Sequence, residues 1–146
     1  MLGPALDRCR ILCVDDSEAS LLLRRRILEM NGYDVETSSS AVKTAQLFKG
    51  SEFDLAILDY EMPGMSGGQL AASLKRAAPD LKVILYTGTA VLEGPELDDV
   101  DLLVFKWEGI DPLLVAVKEL LPCSFQSGRR RGEPVDAARR DARTGE

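Results

Sequence analysis

The chain has 146 residues, 45% apolar and 29% charged, with a formal net charge of −6. That length and composition fit one domain around one core. No apolar run is long enough to span a bilayer, and Met1-Leu2-Gly3-Pro4 opens no signal-peptide pattern, so a soluble, cytoplasmic protein is expected. The absence of histidine excludes a histidine general base, a Ser-His-Asp triad, a histidine metal ligand and a phosphohistidine carrier within these residues.

Strand-like and helix-like segments alternate along the chain. Ile11–Val14 is a first strand, followed by a helix over Glu18–Met30 with Leu23, Ile27 and Met30 on one face. Asn31-Gly32 stops that helix. Tyr33–Thr37 is a second strand, and Ala41, Ala45 and Phe48 mark a second helix that Gly50 closes. The apolar run Phe53–Asp59, bounded by Pro63 and Gly64, is a buried third strand. Ser66-Gly67-Gly68-Gln69 fits a capping box that opens a helix with Leu70, Leu74 and Ala77 inside, stopped by Pro79. Lys82–Thr87 and Leu102–Lys106 are the fourth and fifth strands.

Residues 88–101 are a thin link for a parallel crossover, and Gly94-Pro95 interrupts them. The helix between the fourth and fifth strands is therefore expected to be short or distorted, within Glu96–Val100. Asp111-Pro112 starts a last helix with Asp111 as its cap, lined by Leu113, Val117 and Leu120 and ended by Pro122. The alternation implies a three-layer α/β fold: a doubly wound, parallel five-stranded sheet of order 2-1-3-4-5, with helices on both faces.

In that order the first and third strands are adjacent. Asp15 and Asp16 then meet Asp59 at the carboxyl edge, the edge where open α/β sheets bind ligands. Three carboxylates there make a site for a hard divalent cation. Thr87 and Lys106 end the fourth and fifth strands beside them. Alone, each residue has an ordinary reading: a solvated acidic pair, a turn cap, a strand-end hydroxyl, a snorkelling lysine. Coincidence at four strand ends on one edge is what those readings do not supply.

Charge is uneven. Residues 1–127 carry 12 basic and 20 acidic side chains, whereas residues 128–146 carry 6 basic and 4 acidic. The acidic body argues against a nucleic-acid partner. Arg129-Arg130-Arg131 and Arg139-Arg140 sit among acids without interleaved aromatics, so a solvated, disordered tail is the favoured reading, with at most a marginal helix over Val135–Arg143. Cys9, Cys13 and Cys123 are read as packing or surface thiols.

Val14-Asp15-Asp16, Leu58-Asp59-Tyr60-Glu61-Met62-Pro63-Gly64-Met65-Ser66-Gly67 and Leu85-Tyr86-Thr87-Gly88, together with Lys106, resemble the receiver domain of bacterial two-component response regulators over residues 9–121. The resemblance implies that Asp59 accepts a phosphoryl group from a sensor histidine kinase or a histidine phosphotransfer protein. It implies Mg²⁺ as cofactor, ligated by Asp16, Asp59 and the backbone carbonyl of Glu61, with Asp15 acting through water. Thr87, Gly88, Lys106 and Tyr60 are then the phosphate-binding residues.

Three positions depart from the family pattern. Trp107 stands where proline usually follows the lysine in cis, so a trans bond is expected here, with Lys106 re-aimed. Leu103 occupies the usual place of the switch aromatic; either Phe105 substitutes, having the same side-chain parity, or the relay is absent. The link holding the fourth helix is about three residues short. All three lie on the usual output face. The implied protein is a stand-alone receiver body over 9–122, flanked by an extension over 1–8 and a tail over 123–146. It is not an enzyme beyond its own phosphate cycle, and it signals through an unidentified downstream protein; no homodimer is predicted. The alternative is a pseudo-receiver, a binding scaffold without phosphorylation.

Overall fold

A computed structural model describes residues 8–50, 52–89 and 97–121. Five strands form one parallel sheet: β1 (Arg10–Val14), β2 (Asp34–Ser38), β3 (Leu55–Leu58), β4 (Lys82–Thr87) and β5 (Leu102–Phe105). Their order is β2-β1-β3-β4-β5, as expected from the alternation. Four α-helices are described: α1 (Glu18–Met30), α2 (Ala41–Leu47), α3 (Gly67–Ala77) and α4 (Asp111–Leu120).

The two-residue period of the strands splits the core into two layers. Ile11 and Cys13 of β1, Leu55 and Ile57 of β3, and Ile84 and Tyr86 of β4 pack with Leu21 and Leu28 of α1 and with Leu113 and Val117 of α4. Leu12, Val14, Ala56, Leu58, Val83 and Leu85 face the other way, onto Ala41 of α2 and Leu70, Ala71 and Leu74 of α3. Continued past the strand ends, the first parity brings Asp15, Asp59 and Lys106 to the side that α1 covers.

Local chemistry sets the boundaries. Ser17 caps α1 by accepting the Ser20 N–H, and Asn31 and Gly32 (φ 95°) end it. Ser66 and Gln69 make both bonds of a capping box on α3. Other details differ from the sequence reading. In α1 the buried stripe is Leu21, Arg24 and Leu28, while Leu23 is 64% exposed and Met30 82%. The run Leu21-Leu22-Leu23 offers three helical phases, and the one chosen carries a charged residue inward. In α2, Thr44 takes the buried place beside Ala41, its hydroxyl donating to the Ser40 carbonyl at 2.7 Å. Phe48 is the half-buried cap residue there, and Ala77 at the end of α3 is exposed.

Tyr33 precedes β2 and is buried. β5 ends at Phe105, and Lys106 opens a single 3₁₀ turn, Lys106–Glu108. Asp111 is not the cap of α4: Ile110 enters in helical conformation without a side-chain bond, which leaves Asp111 in the first turn beside Pro112. Between β4 and β5 the described residues hold one turn, closed by the Val100 N–H on the Leu97 carbonyl at 3.1 Å. The rest of the expected short helix lies outside the described residues, as do the 1–7 and 122–146 termini. Cys13 is buried and free, and its thiol is pushed up to about 12 by burial. Cys9 is buried and disulfide-bonded, against the thiol reading. Among the described residues no helix is long and apolar enough to cross a membrane.

Candidate functional site

The register of β1 and β3 builds the site. Val14 pairs with Leu58, and the Asp59 N–H donates to the Val14 carbonyl at 2.9 Å, so the residues after the two strands are neighbours. Asp15, Asp16 and Asp59 offer carboxylate oxygens that all lie within 4.8 Å of one another. Asp15 is 1% exposed and Asp59 8%, whereas Asp16 is open to solvent. Beside Asp16 a hollow of ≈ 430 Å³ is lined by Tyr60, Glu61, Met62, Pro63 and Ser66. Hard oxygen donors gathered at a partly open edge suit Mg²⁺, which keeps several of its waters.

Two cations face the carboxylates. Lys106 Nζ lies 2.8 Å from Asp15 Oδ2 and 3.4 Å from Asp59 Oδ1. Arg24 Nη2 lies 3.2 Å from the same Asp15 oxygen. Asp15 Oδ1 accepts the Ser17 N–H at 2.9 Å. Burial alone raises the Asp15 carboxyl, but the Lys106 and Ser17 hydrogen bonds and the Lys106 and Arg24 charges outweigh it and hold Asp15 below the ordinary value. At Asp59 burial prevails: it raises the carboxyl, Lys106 only partly offsets this, and the Asp15 charge adds to the rise.

The other expected residues line the same edge. Thr87 is 1% exposed, pairs with Phe105 across β4 and β5, and accepts the Thr89 N–H on Oγ1 at 3.1 Å. Gly88 is exposed, and a Cβ there would meet nothing within 4 Å. The Tyr60 N–H donates to Asp59 Oδ1 at 3.0 Å, and the Tyr60 carbonyl accepts the Gly67 N–H at 2.8 Å. Gly67 abuts the site from α3: a Cβ there would overlap the Asp59 carbonyl oxygen and lie 2.7 Å from Leu85 Cδ1. Among the described residues every peptide bond is trans, Lys106–Trp107 included, yet Lys106 still reaches the acidic edge. Phe105 stacks on Trp107 at 4.4 Å between centroids and 10° between planes.

Sequence reasoning missed Arg24 and Tyr86. Arg24 is 5% exposed, with its guanidinium 5.0 Å over the Tyr86 ring. The Tyr86 hydroxyl donates to the Gly109 carbonyl at 3.3 Å, in the loop behind Lys106. An arginine three residues after Leu21 and four before Leu28 was the available signal, since it stands inside a helical stripe that faces a strand ending in aspartate.

Residues 11–95 match the sequence profile of the response regulator receiver domain. The chain belongs to that family. Among its relatives, the alginate biosynthesis transcriptional regulatory protein AlgB of Pseudomonas aeruginosa is 33% identical over 76% of this chain. The receiver spans only 26% of the length of AlgB. Among solved structures, the response regulator TrrA of Thermotoga maritima in complex with Mg²⁺-BeF is 33% identical, with a TM-score of 0.72 over 77% of this chain and 99% of that one. TrrA in complex with the histidine kinase ThkA is 34% identical, with a TM-score of 0.67 over 77% and 98%. The receiver thus shares the flavodoxin-like arrangement of response regulators and belongs among signalling domains of two-component systems.

Proposed function

We propose that the receiver is a phosphoacceptor, with Asp59 as the nucleophile. The observation that carries this reading is the convergence of Asp15, Asp16 and Asp59 within 4.8 Å, with Lys106 Nζ 3.4 Å from Asp59. Phosphoryl transfer asks a protein mainly for positioning and charge neutralisation. These 146 residues hold no histidine, so the phosphohistidine lies outside them, on a sensor kinase or a histidine phosphotransfer protein. The solved pairing of TrrA with a histidine kinase supports that choice of partner.

Asp59 attacks phosphorus through a carboxylate oxygen. The P–O bond forms as the P–N bond to the donor imidazole breaks, and the leaving imidazole takes its proton from water. Asp16, Asp59 and the Glu61 carbonyl are the residues to hold Mg²⁺, with Asp15 behind them through water. The ion, when bound, neutralises charge on the phosphoryl oxygens. Lys106 turns from Asp15 to one of those oxygens, Thr87 donates its hydroxyl to another, and the Gly88 and Tyr60 N–H groups border the group. The receiver body then spans residues 9–122, between a short extension and an Arg-rich tail, and it acts in the cytoplasm through contacts with a downstream protein.

The test is incubation with Mg²⁺ and phosphoramidate, read by intact mass. One added phosphate is expected in the wild type and none in Asp59→Asn. An unmodified wild type, or equal modification of Asp59→Asn, refutes the reading. The wild type would then be the scaffold kind of receiver.

A further inference from the structure

The geometry points to Arg24 as the standing counter-ion of Asp15, a positioning residue that frees Lys106 to leave for the phosphoryl group; this rests on the phosphoacceptor reading. Asp15 is buried, and its Oδ2 is shared by Arg24 at 3.2 Å and Lys106 at 2.8 Å. The two cations differ in how they are held. Lys106 is 31% exposed in its side chain and stands at the mouth of the site, where it already divides itself between Asp15 and Asp59. Arg24 is 5% exposed, rooted in α1, and fixed with its guanidinium over the Tyr86 ring.

A lysine that moves to a phosphoryl oxygen abandons the carboxylate it was pairing. A buried carboxylate stripped of its partner is strongly penalised. Here Asp15 keeps Arg24, so the motion of Lys106 leaves no bare charge behind. Charge balance agrees. With Mg²⁺ and a dianionic acyl phosphate on Asp59, the charges of Asp15, Asp16 and Lys106 leave the pocket one unit negative, and Arg24 makes it neutral. Before phosphorylation the same guanidinium opposes the divalent ion. Arg24 therefore weakens Mg²⁺ binding to the resting receiver and supports the phosphorylated one, two effects of opposite sign that a residue serving only to pack α1 on the sheet does not produce.

The test uses the full chain, with Arg24→Met to remove the charge and Arg24→Lys to restore it. Arg24→Gln is the second neutral variant if the methionine form fails to fold by circular dichroism. Calorimetric titration with MgCl₂ alone is expected to show binding about tenfold tighter in the neutral variant, the effect of one unit charge on a divalent ion at close range even at the dielectric of water. Phosphorylation by phosphoramidate at saturating Mg²⁺ is expected to be about tenfold slower, the loss of roughly one such charge interaction from the transition state. Arg24→Lys returns both toward wild type. A neutral variant that binds Mg²⁺ no tighter than wild type overturns the inference, and so does an undiminished phosphorylation rate. Failure of the phosphoacceptor reading looks different: wild type itself then takes no phosphate, and the MgCl₂ titration alone decides the role of Arg24.

Discussion

Gly67 seats α3 directly against the end of β3 at the site, and its replacement by alanine gives a quantitative test. The new Cβ would overlap the Asp59 carbonyl oxygen, approach Leu85 Cδ1 to 2.7 Å and reach the Asp59 carbonyl carbon at 3.0 Å. The first and last of these neighbours are backbone, so the relief must come from moving α3 or the end of β3. Overpacking of this kind costs about 1–3 kcal/mol, and a backbone obstacle puts Gly67→Ala at the upper end. Alanine recovers less than about 1 kcal/mol of helix propensity, because Gly67 is the first helical residue. The net expectation is a loss of about 2 kcal/mol in urea unfolding followed by circular dichroism, or roughly 8–12 °C in Tm for a domain of this size. Gly88→Ala is the control, with open space around its Cβ and an expected change within about 0.5 kcal/mol. Equal stability of Gly67→Ala and wild type would refute the packing argument.

The pH dependence of stability in Mg²⁺-free buffer has two opposing parts. Asp15 and Asp101 sit below their ordinary values: burial raises each, but hydrogen bonds and nearby charge (Lys106 with Ser17 at Asp15, Lys75 with Val83 at Asp101) outweigh it. Their stabilisation is complete above the unfolded aspartate value of about 4 and is lost as pH falls through the lower folded values. Asp59, raised chiefly by burial, binds its proton more tightly when folded and so destabilises the neutral-pH protein. Asp59→Asn should therefore melt at a higher temperature than wild type at pH 7, with the gap closing as acid protonates Asp59; a lower Tm at pH 7 contradicts this. Tyr86→Phe removes the bond to the Gly109 carbonyl and keeps the ring under Arg24, so a loss of about 1 kcal/mol is expected, and one above about 2 kcal/mol in urea melts would mean the hydroxyl does more. Ser66→Ala breaks the capping box of α3 and should cost about 1 kcal/mol in the same assay; no change would mean that water replaces the cap.

The fold was legible because its signals are local and agree with one another. Apolar runs name the strands, Asn31-Gly32 and Ser66–Gln69 mark helix ends, and parallel crossovers fix which strands touch. The acidic edge followed, since residues immediately after adjacent strands must be neighbours. Arg24 was not legible by counting apolar residues alone, because Leu21-Leu22-Leu23 lets a wholly apolar phase be drawn through Leu23, Ile27 and Met30. In that phase Leu23 and Met30 lie open to solvent and Ile27 is only half-buried. The true stripe accepts an arginine because Asp15 emerges on the matching side of β1, a long-range fact that helical periodicity does not contain. The disulfide of Cys9 is illegible for the same reason: spacing does not say which thiols meet.

How Lys106 reaches the acids without a following proline has a local explanation. Thr87 and Phe105 are paired in the sheet, so the residue after Phe105 stands at the carboxyl edge whatever follows it. The chain then turns at once: Lys106–Glu108 form a 3₁₀ turn, the Gly109 N–H donates to the Lys106 carbonyl at 3.1 Å, and Gly109 takes φ 91°, a conformation that favours glycine. The Tyr86 hydroxyl holds the Gly109 carbonyl from β4, and Trp107 stacks on Phe105. Strand register places the lysine and the turn aims it, so position 107 is released from that task. Trp107 occupies it at 59% exposure, while the carboxylates lie on the side of the sheet edge that α1 covers. A change at Trp107 therefore has two routes to Lys106: the 3₁₀ turn that the two residues share, which Tyr86 and Gly109 hold, and the stack on Phe105.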